Sequence, residues 1–293
     1  MAGKSEYYQY TPSLIGAALF AALFFLSSGC HIIQLTRTKT WYFIPLVIGA
    51  LSITSPPLLL PLHTTNTPAV EAVGYVARAI SHHDRWALMP YIIQALLLLI
   101  APALYAASIY MILGRIITRI EAEHHSMIRP NWLTKIFVAG DVLSFLMQSA
   151  GGGIMAKQDR DSAKLGQRII LGGLFVQILF FGFFMAVAIV FHLRLRKNPT
   201  QASGVDTKWR TLLIALYVAS TLILMRSGFR VIEYLQGKEG FLMSKEVWLY
   251  IFDGVLMVSV TVLFNIVHPS IALPGRKGKV TEDGYAMGSR ESS

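Results

Sequence analysis

The chain has 293 residues, of which 54% are hydrophobic and only 14% charged. Soluble domains carry about 25% charged residues, so a water-soluble globular protein is excluded and lipid is the expected solvent. The net charge of +10 does not imply nucleic acid, because the basic residues fall in the gaps between apolar runs, a pattern of anchoring against anionic cytoplasmic lipid.

A membrane span needs about 20 apolar residues. The first is expected at 12–35. It is too long for the apolar part of a signal peptide and follows a polar stretch with Tyr7, Tyr8 and Tyr10, so no cleavable signal is expected. It holds the single cysteine, Cys30, which excludes an internal disulfide and reads as a small buried hydrophobe.

The second span, 41–80, is irregular. Ile44–Leu51 is apolar, but Ser55-Pro56-Pro57, Pro61 and Pro68 interrupt it, and proline removes a backbone donor and clashes with the preceding turn. A second helical pattern from Ala69 carries Glu71, Gly74 and Arg78 on one face. It is too short to span alone, so 41–80 is read as one span interrupted by a loop.

Further spans are expected at 88–117, 132–155, 165–193, 212–235 and 247–267. The fold class is therefore all-α, a polytopic seven-helix membrane bundle over residues 1–270. Residues 271–293, rich in Gly, Ser and charge, read as a disordered tail. Orientation follows from Lys and Arg in the short gaps. The gaps after spans one, three and five, together with the tail, hold the majority, including Arg115, Arg119, Arg194, Arg196, Lys197, Lys208 and Arg210. The N-terminus is expected outside and the tail in the cytoplasm.

Charged and amide side chains inside apolar runs are costly and point to function or to a helix-joining role. They are Glu71, Arg78, Gln94, Asp141, Gln148, Gln177, Arg226, Arg230, Glu233, Asp253, Asn265 and His268. Arg226, Arg230 and Glu233 are spaced by four and three, so they share one helix face. Asp141 and Gln148 are seven apart and share another, as do Glu246 and Asp253. The glutamines and Asn265 read first as interhelical glue. Gly151-Gly152-Gly153 and Gly172-Gly173 read as close helix packing or a flexible break.

The chain has no phosphate loop, GxSxG, HExxH or cysteine cluster, so an ATP-driven pump is unsupported and no cofactor is expected. A zinc site from His31, Asp141 and His268 is a weak alternative. His82-His83 and His124-His125 lie in gaps and read as solvated.

The chain resembles the fungal lipid-translocating exporter family, the RTA-like seven-span proteins, over about residues 7–270. The matching residues include Tyr10-Thr11-Pro12-Ser13, Glu71 with Gly74-Tyr75 and Arg78, and Tyr91 to Gln94 running to Ala101-Pro102. They continue through Tyr110 to Gly114-Arg115, Phe137 to Asp141 with Gln148 and Gly151-Gly152-Gly153, then Gly172-Gly173-Leu174 with Gln177. Arg226 to Arg230 with Glu233-Tyr234, Phe252-Asp253, and Asn265 to His268-Pro269 complete the set. The chain departs from the family at Leu51 to Val70, roughly twenty extra residues by count, read as an insertion or a retained intron.

The resemblance implies a fungal multi-pass protein, not an enzyme, that translocates or exports lipids. Sphingoid long-chain bases or similar amphiphiles are the implied cargo, with a role in resistance to toxic lipids. Membrane lipids and an amphiphilic lipid substrate are the expected partners, and the plasma membrane is the expected location. A seven-span receptor or sensor of lipid or stress signals is the alternative, and a membrane-embedded lipid enzyme a third.

Overall fold

A computed structural model describes residues 14–53, 88–155, 159–205, 208–236, 248 and 250–273. All regular structure among the described residues is helical. In chain order the elements are α1 (Leu14–Thr38), α2 (Ile44–Ile53), α3 (Leu88–Arg119), α4 (Pro130–Met155), α5 (Arg160–Lys197), the short α6 (Gln201–Val205), α7 (Lys208–Gln236) and α8 (Leu256–Ile266). A wide π-type turn, Tyr250–Val255, leads into α8.

Local signals set several helix ends. Lys39 and Glu121, with φ of 53° and 54°, take the left-handed conformation that stops α1 and α3. The Asp159 side chain accepts from Ser162 N at 3.4 Å and caps α5. Pro45 sits in the first turn of α2, where its missing donor costs nothing.

Five helical segments are long and apolar enough to cross a membrane: Leu99–Arg119, Pro130–Met155, Asp161–Lys197, Lys208–Gln236 and Ile251–Ile271. They correspond to the expected third to seventh spans. The 25 residues of α1 also suffice in length, about 37 Å at 1.5 Å per residue. The 38 residues of α5 reach about 57 Å, well beyond the bilayer core of about 30 Å.

The bundle is organised around α3, which packs against α2, α4 and α7, while α1 packs against α2 and α8. The apolar part of α3 is 72% buried against 33% for α4, which makes α3 the central helix. Tyr105, Ile109, Tyr110, Ile112, Leu113 and Ile116 fill its faces. The outward surface is also apolar, with Phe25, Leu146, Leu179, Ile214, Ile232 and Ile266 exposed. Apolar groups outside and polar groups inside are the arrangement lipid requires, since the tails solvate the outer face and cannot satisfy hydrogen bonds.

The longest contact joins α4 to α5, and glycine makes it possible. A Cβ on Gly151 would stand 2.7 Å from Gly166 O, and one on Gly166 would stand 2.5 Å from Gly151 O. A Cβ on Gly173 would meet Gln148 Cγ at 2.8 Å. The close-packing reading of the glycines therefore holds for Gly151 and Gly173, while Gly152 and Gly153 face open space.

The gaps expected on one side of the membrane meet at one end of the bundle. The Arg115 guanidinium lies 3.9 Å from the Tyr42 ring centroid, and the Tyr42 hydroxyl donates to Leu273 O at 3.4 Å. Arg194 donates to His125 O at 3.4 Å, and Thr200 Oγ1 donates to Ile120 O at 2.7 Å. At the opposite end, Gln167 Nε2 donates to Tyr234 O at 2.5 Å and ties the start of α5 to the end of α7.

Two expectations are corrected. Cys30 is exposed on the outward face of α1 rather than buried, because Ser27, Ser28 and His31 take the inward positions around it. His125 is buried rather than solvated, folded under the end of α5 by the Arg194 contact. Of the expected insertion Leu51–Val70, residues 51–53 continue α2, and at the start of the expected tail 271–293, Ile271 closes a short helical turn with Ala272 and Leu273 buried. The rest of the insertion, Glu71, Arg78, Glu246 and the tail after Leu273 lie outside the described residues.

Candidate functional site

The charged face of α7 faces the turn before α8. Arg226 Nε pairs with Asp253 Oδ1. Arg230 Nη2 donates to Asp253 Oδ2 at 2.5 Å, and Arg230 Nη1 donates to Glu233 Oε2 at 3.0 Å. The exposures of Arg226 (4%) and Asp253 (7%) put the pair inside the protein. Two guanidiniums and two carboxylates form a tetrad of zero net charge. That balance is what makes burial tolerable, because an isolated ionised group in an apolar medium is far costlier than a paired one.

The carboxylate of Asp253 reaches α7 from the wide turn Tyr250–Val255. Such turns insert an extra residue into the helical period and concentrate at functional positions. The same turn interrupts the regular period on which the Glu246–Asp253 pairing relied. Phe229 and Phe252, the sequence neighbours of Arg230 and Asp253, stack at 4.5 Å and 9° and tie the two elements beside the charges.

A second polar cluster runs between α3, α4 and α5. The Tyr110 hydroxyl donates to Asp141 Oδ2 at 2.9 Å, while Asp141 Oδ1 is buried with no hydrogen-bond partner among the described residues. Ser144 Oγ donates to Gly173 O at 2.8 Å. Gln148 Nε2 donates to Ser144 Oγ at 2.7 Å and to Gln177 Oε1 at 3.1 Å. Phe137, Phe181 and Phe184 pack around the Tyr110 ring.

The two clusters are linked through α3. Tyr105 is fully buried five residues before Tyr110, on a helix that packs against both α4 and α7. Its hydroxyl has no hydrogen-bond partner among the described residues. The interior thus holds paired carboxylates and guanidiniums together with a hydroxyl, on Tyr105, and a carboxylate oxygen, on Asp141, that lack hydrogen-bond partners among the described residues.

A third set joins α1 to α8 and is structural glue. His31 Nε2 bonds Thr261 O at 3.0 Å, Gln34 donates to Asn265 O at 2.9 Å, and Asn265 donates to Ser27 Oγ at 2.6 Å. His31 and His268 both pack edge-on against Phe43. Asp141 is engaged with Tyr110 instead, and no group of three His, Cys, Asp or Glu suited to a metal occurs among the described residues.

The structure therefore joins Arg226, Arg230, Glu233 and Asp253 in one cluster, and Asp141, Gln148 and Gln177 in another. Gln94 lies on α3, but its side chain is outside the described part, as are Glu71 and Arg78. Sequence reasoning missed Tyr105, and it noted Tyr110 only within the family resemblance. The signal available was a pair of hydroxyl-bearing aromatics in mid-run, where hydrocarbon offers the O–H no partner. Ser144, between Asp141 and Gln148 at helical spacing, was a further signal.

These features define a helical, multi-pass integral membrane protein with a buried charge network. The family described as "RTA1 like protein" matches residues 66–276. The chain belongs to this family. Protein RTA1 of Saccharomyces cerevisiae is 40% identical over 280 residues, covering 91% of this chain and 86% of its own length. Protoporphyrin uptake protein 1 of the same yeast is 42% identical over 197 residues, covering 67% of this chain and 64% of its own. The sphingoid long-chain base transporter RSB1, also from Saccharomyces cerevisiae, is 23% identical over 284 residues, covering 85% and 70%. No solved structure matches the chain.

Proposed function

We propose that the protein moves amphiphilic lipids across the plasma membrane, sphingoid long-chain bases or close analogues, and so contributes to resistance against toxic lipids. The observation that carries this reading is the tetrad of Arg226, Arg230, Glu233 and Asp253, with Arg226 and Asp253 buried and Arg230 and Glu233 partly so. A sphingoid base has one ammonium, hydroxyls and a long tail. Its ammonium takes over Asp253 or Glu233 from a guanidinium, so the cation is paired with a carboxylate while the head group crosses inside the protein and the tail stays in lipid between helices. Tyr105 and Asp141, each with a buried oxygen lacking a hydrogen-bond partner among the described residues, offer the hydroxyls partners. The relationship to a transporter named for this cargo supports the reading.

The domain is read as seven spans over residues 1–270, with the N-terminus outside and the tail 271–293 in the cytoplasm. The gathering of the basic gaps at one end supports that orientation. The protein acts without a cofactor and without making or breaking covalent bonds; movement follows the cargo gradient or a coupled ion. A second reading, passage of a carboxylate-bearing amphiphile, is favoured by the relationship to the protoporphyrin uptake protein. In that case Arg226 and Arg230 are the head-group partners.

The test is reconstitution into liposomes with fluorescent sphingosine, and separately with protoporphyrin. Faster transbilayer transfer of sphingosine than in protein-free liposomes supports the lead reading. Acceleration of protoporphyrin alone supports the second. Binding without transfer of either makes the protein a sensor.

A further inference from the structure

A cavity of about 370 Å³ opens at the basic end, between the last turns of α5 and the first turn of α7. Its volume falls within the range of about 300–1,000 Å³ usual for ligand sites. His192, Leu195, Arg196, Ser203, Trp209 and Arg210 line it. It is separate from the tetrad: Arg226 lies 18 residues along α7 from Lys208, about 27 Å at 1.5 Å per residue.

The wall is fixed before any ligand arrives. Trp209 Nε1 donates to Ser203 O at 3.1 Å, Ser203 Oγ donates to Thr200 O at 2.7 Å, and Thr200 Oγ1 donates to Ile120 O at 2.7 Å. The segment holding α6 is thereby tied to both α7 and the end of α3. Trp209 is buried and forms an apolar floor, with the His192 ring edge-on to it at 6.4 Å and stacked on Tyr217 at 5.9 Å. Binding in such a site loses little to ordering of the protein.

The electrostatics are one-sided. Arg196 and Arg210 are exposed, come from different helices and line the same opening, and among the described residues no acidic side chain lines it with them. The Arg210 guanidinium stands 5.5 Å from the Trp209 ring centroid. In sequence, the stretch from Arg194 to Arg210 holds five Lys and Arg against one acid, Asp206. Two guanidiniums converging on one opening repel each other, and an anion between them removes that cost. Forked guanidinium donors suit phosphate oxygens in particular.

We propose that this pocket binds a head group with a terminal phosphate and net negative charge, with Arg196 and Arg210 gripping the phosphate oxygens and Trp209 supporting the apolar edge of the ligand. The source is an anionic lipid at the membrane surface or a soluble phosphate, and the test separates them.

Purified full-length protein in detergent micelles is titrated with short-chain phosphatidylinositol 4-phosphate, with short-chain phosphatidylcholine and with inorganic phosphate, and binding is read by thermophoresis. The phosphoinositide is expected to saturate and phosphatidylcholine to leave the signal flat. The Arg196→Gln/Arg210→Gln variant is expected to bind the phosphoinositide about tenfold more weakly or worse, because two charge-assisted contacts are lost. Arg129→Gln/Lys135→Gln, basic residues outside the pocket, is the control and is expected to bind as the native protein does. Inorganic phosphate binding as tightly as the phosphoinositide supports the site with a soluble ligand as its source. Native-like binding by Arg196→Gln/Arg210→Gln, or equal loss in the control, overturns the proposal.

Discussion

Arg230 donates to Asp253 at 2.5 Å across 23 residues of sequence, and this bond joins α7 to the wide turn that precedes α8. The same carboxylate pairs with Arg226, one helical turn earlier on α7. A single acid thus holds two guanidiniums, the buried Arg226 and the part-buried Arg230, with Glu233 supplying the second negative charge. The arrangement makes definite demands on stability, and they separate a scaffold from a working site.

Removing one member leaves an unbalanced charge in the interior. Arg226→Met and Asp253→Leu are each expected to destabilise the protein by about 3–5 kcal/mol. The double variant leaves Arg230 with Glu233 and restores neutrality, so it should be more stable than either single variant. Thermal unfolding in detergent measures this. Additive losses in the double variant would show that the two residues are energetically independent.

Tyr110 gives Asp141 its hydrogen bond within the central core. Tyr110→Phe is expected to cost about 1–3 kcal/mol, the penalty of leaving a buried polar group unsatisfied. In Asp141→Leu the same Tyr110→Phe change should cost much less, because the acceptor is gone. A double-mutant cycle on unfolding free energy checks the coupling.

The α4–α5 contact depends on Gly151 and Gly166. Gly166→Val drives a side chain into the Gly151 backbone, and such overpacking is expected to cost about 1–3 kcal/mol or more. Gly152→Ala, which faces open space, should be neutral or stabilising by up to about 1 kcal/mol through helix propensity. Membrane abundance and melting temperature together report both effects.

Orientation is checked by labelling single cysteines in a Cys30→Ala background. Cysteines at Ser126 and Thr200, both at the basic end, are expected to react with a membrane-impermeant maleimide only after cells are permeabilised. Labelling of both in intact cells would invert the topology.

Much of the site was legible because helical periodicity is a local property. The four-and-three spacing of Arg226, Arg230 and Glu233 and the seven-residue spacing of Asp141 and Gln148 fix shared faces from sequence alone, and both faces are turned inward in the structure. Partners across helices were not legible. Asp253 was identified as an intramembrane acid, but its pairing with Arg226 and Arg230 depends on the wide turn at Tyr250–Val255, which departs from the regular period. Cys30 and His125 were misplaced for a related reason: an apolar run does not say which side faces lipid, and a gap does not say how tightly it folds under a neighbour. Tyr105 and Tyr110 were overlooked as chemistry because tyrosine passes as an apolar residue in a hydrophobic run.

The central claim is that the tetrad handles a head group rather than only joining helices. The most direct measurement is transbilayer transfer of fluorescent sphingosine in liposomes containing native protein, Asp253→Asn, or Arg226→Met/Asp253→Leu at matched protein content. The account predicts loss of transfer in Asp253→Asn and in the charge-balanced double variant, even though the latter keeps a folded, neutral interior. Native-rate transfer in the folded double variant would contradict it and leave the tetrad a structural clasp.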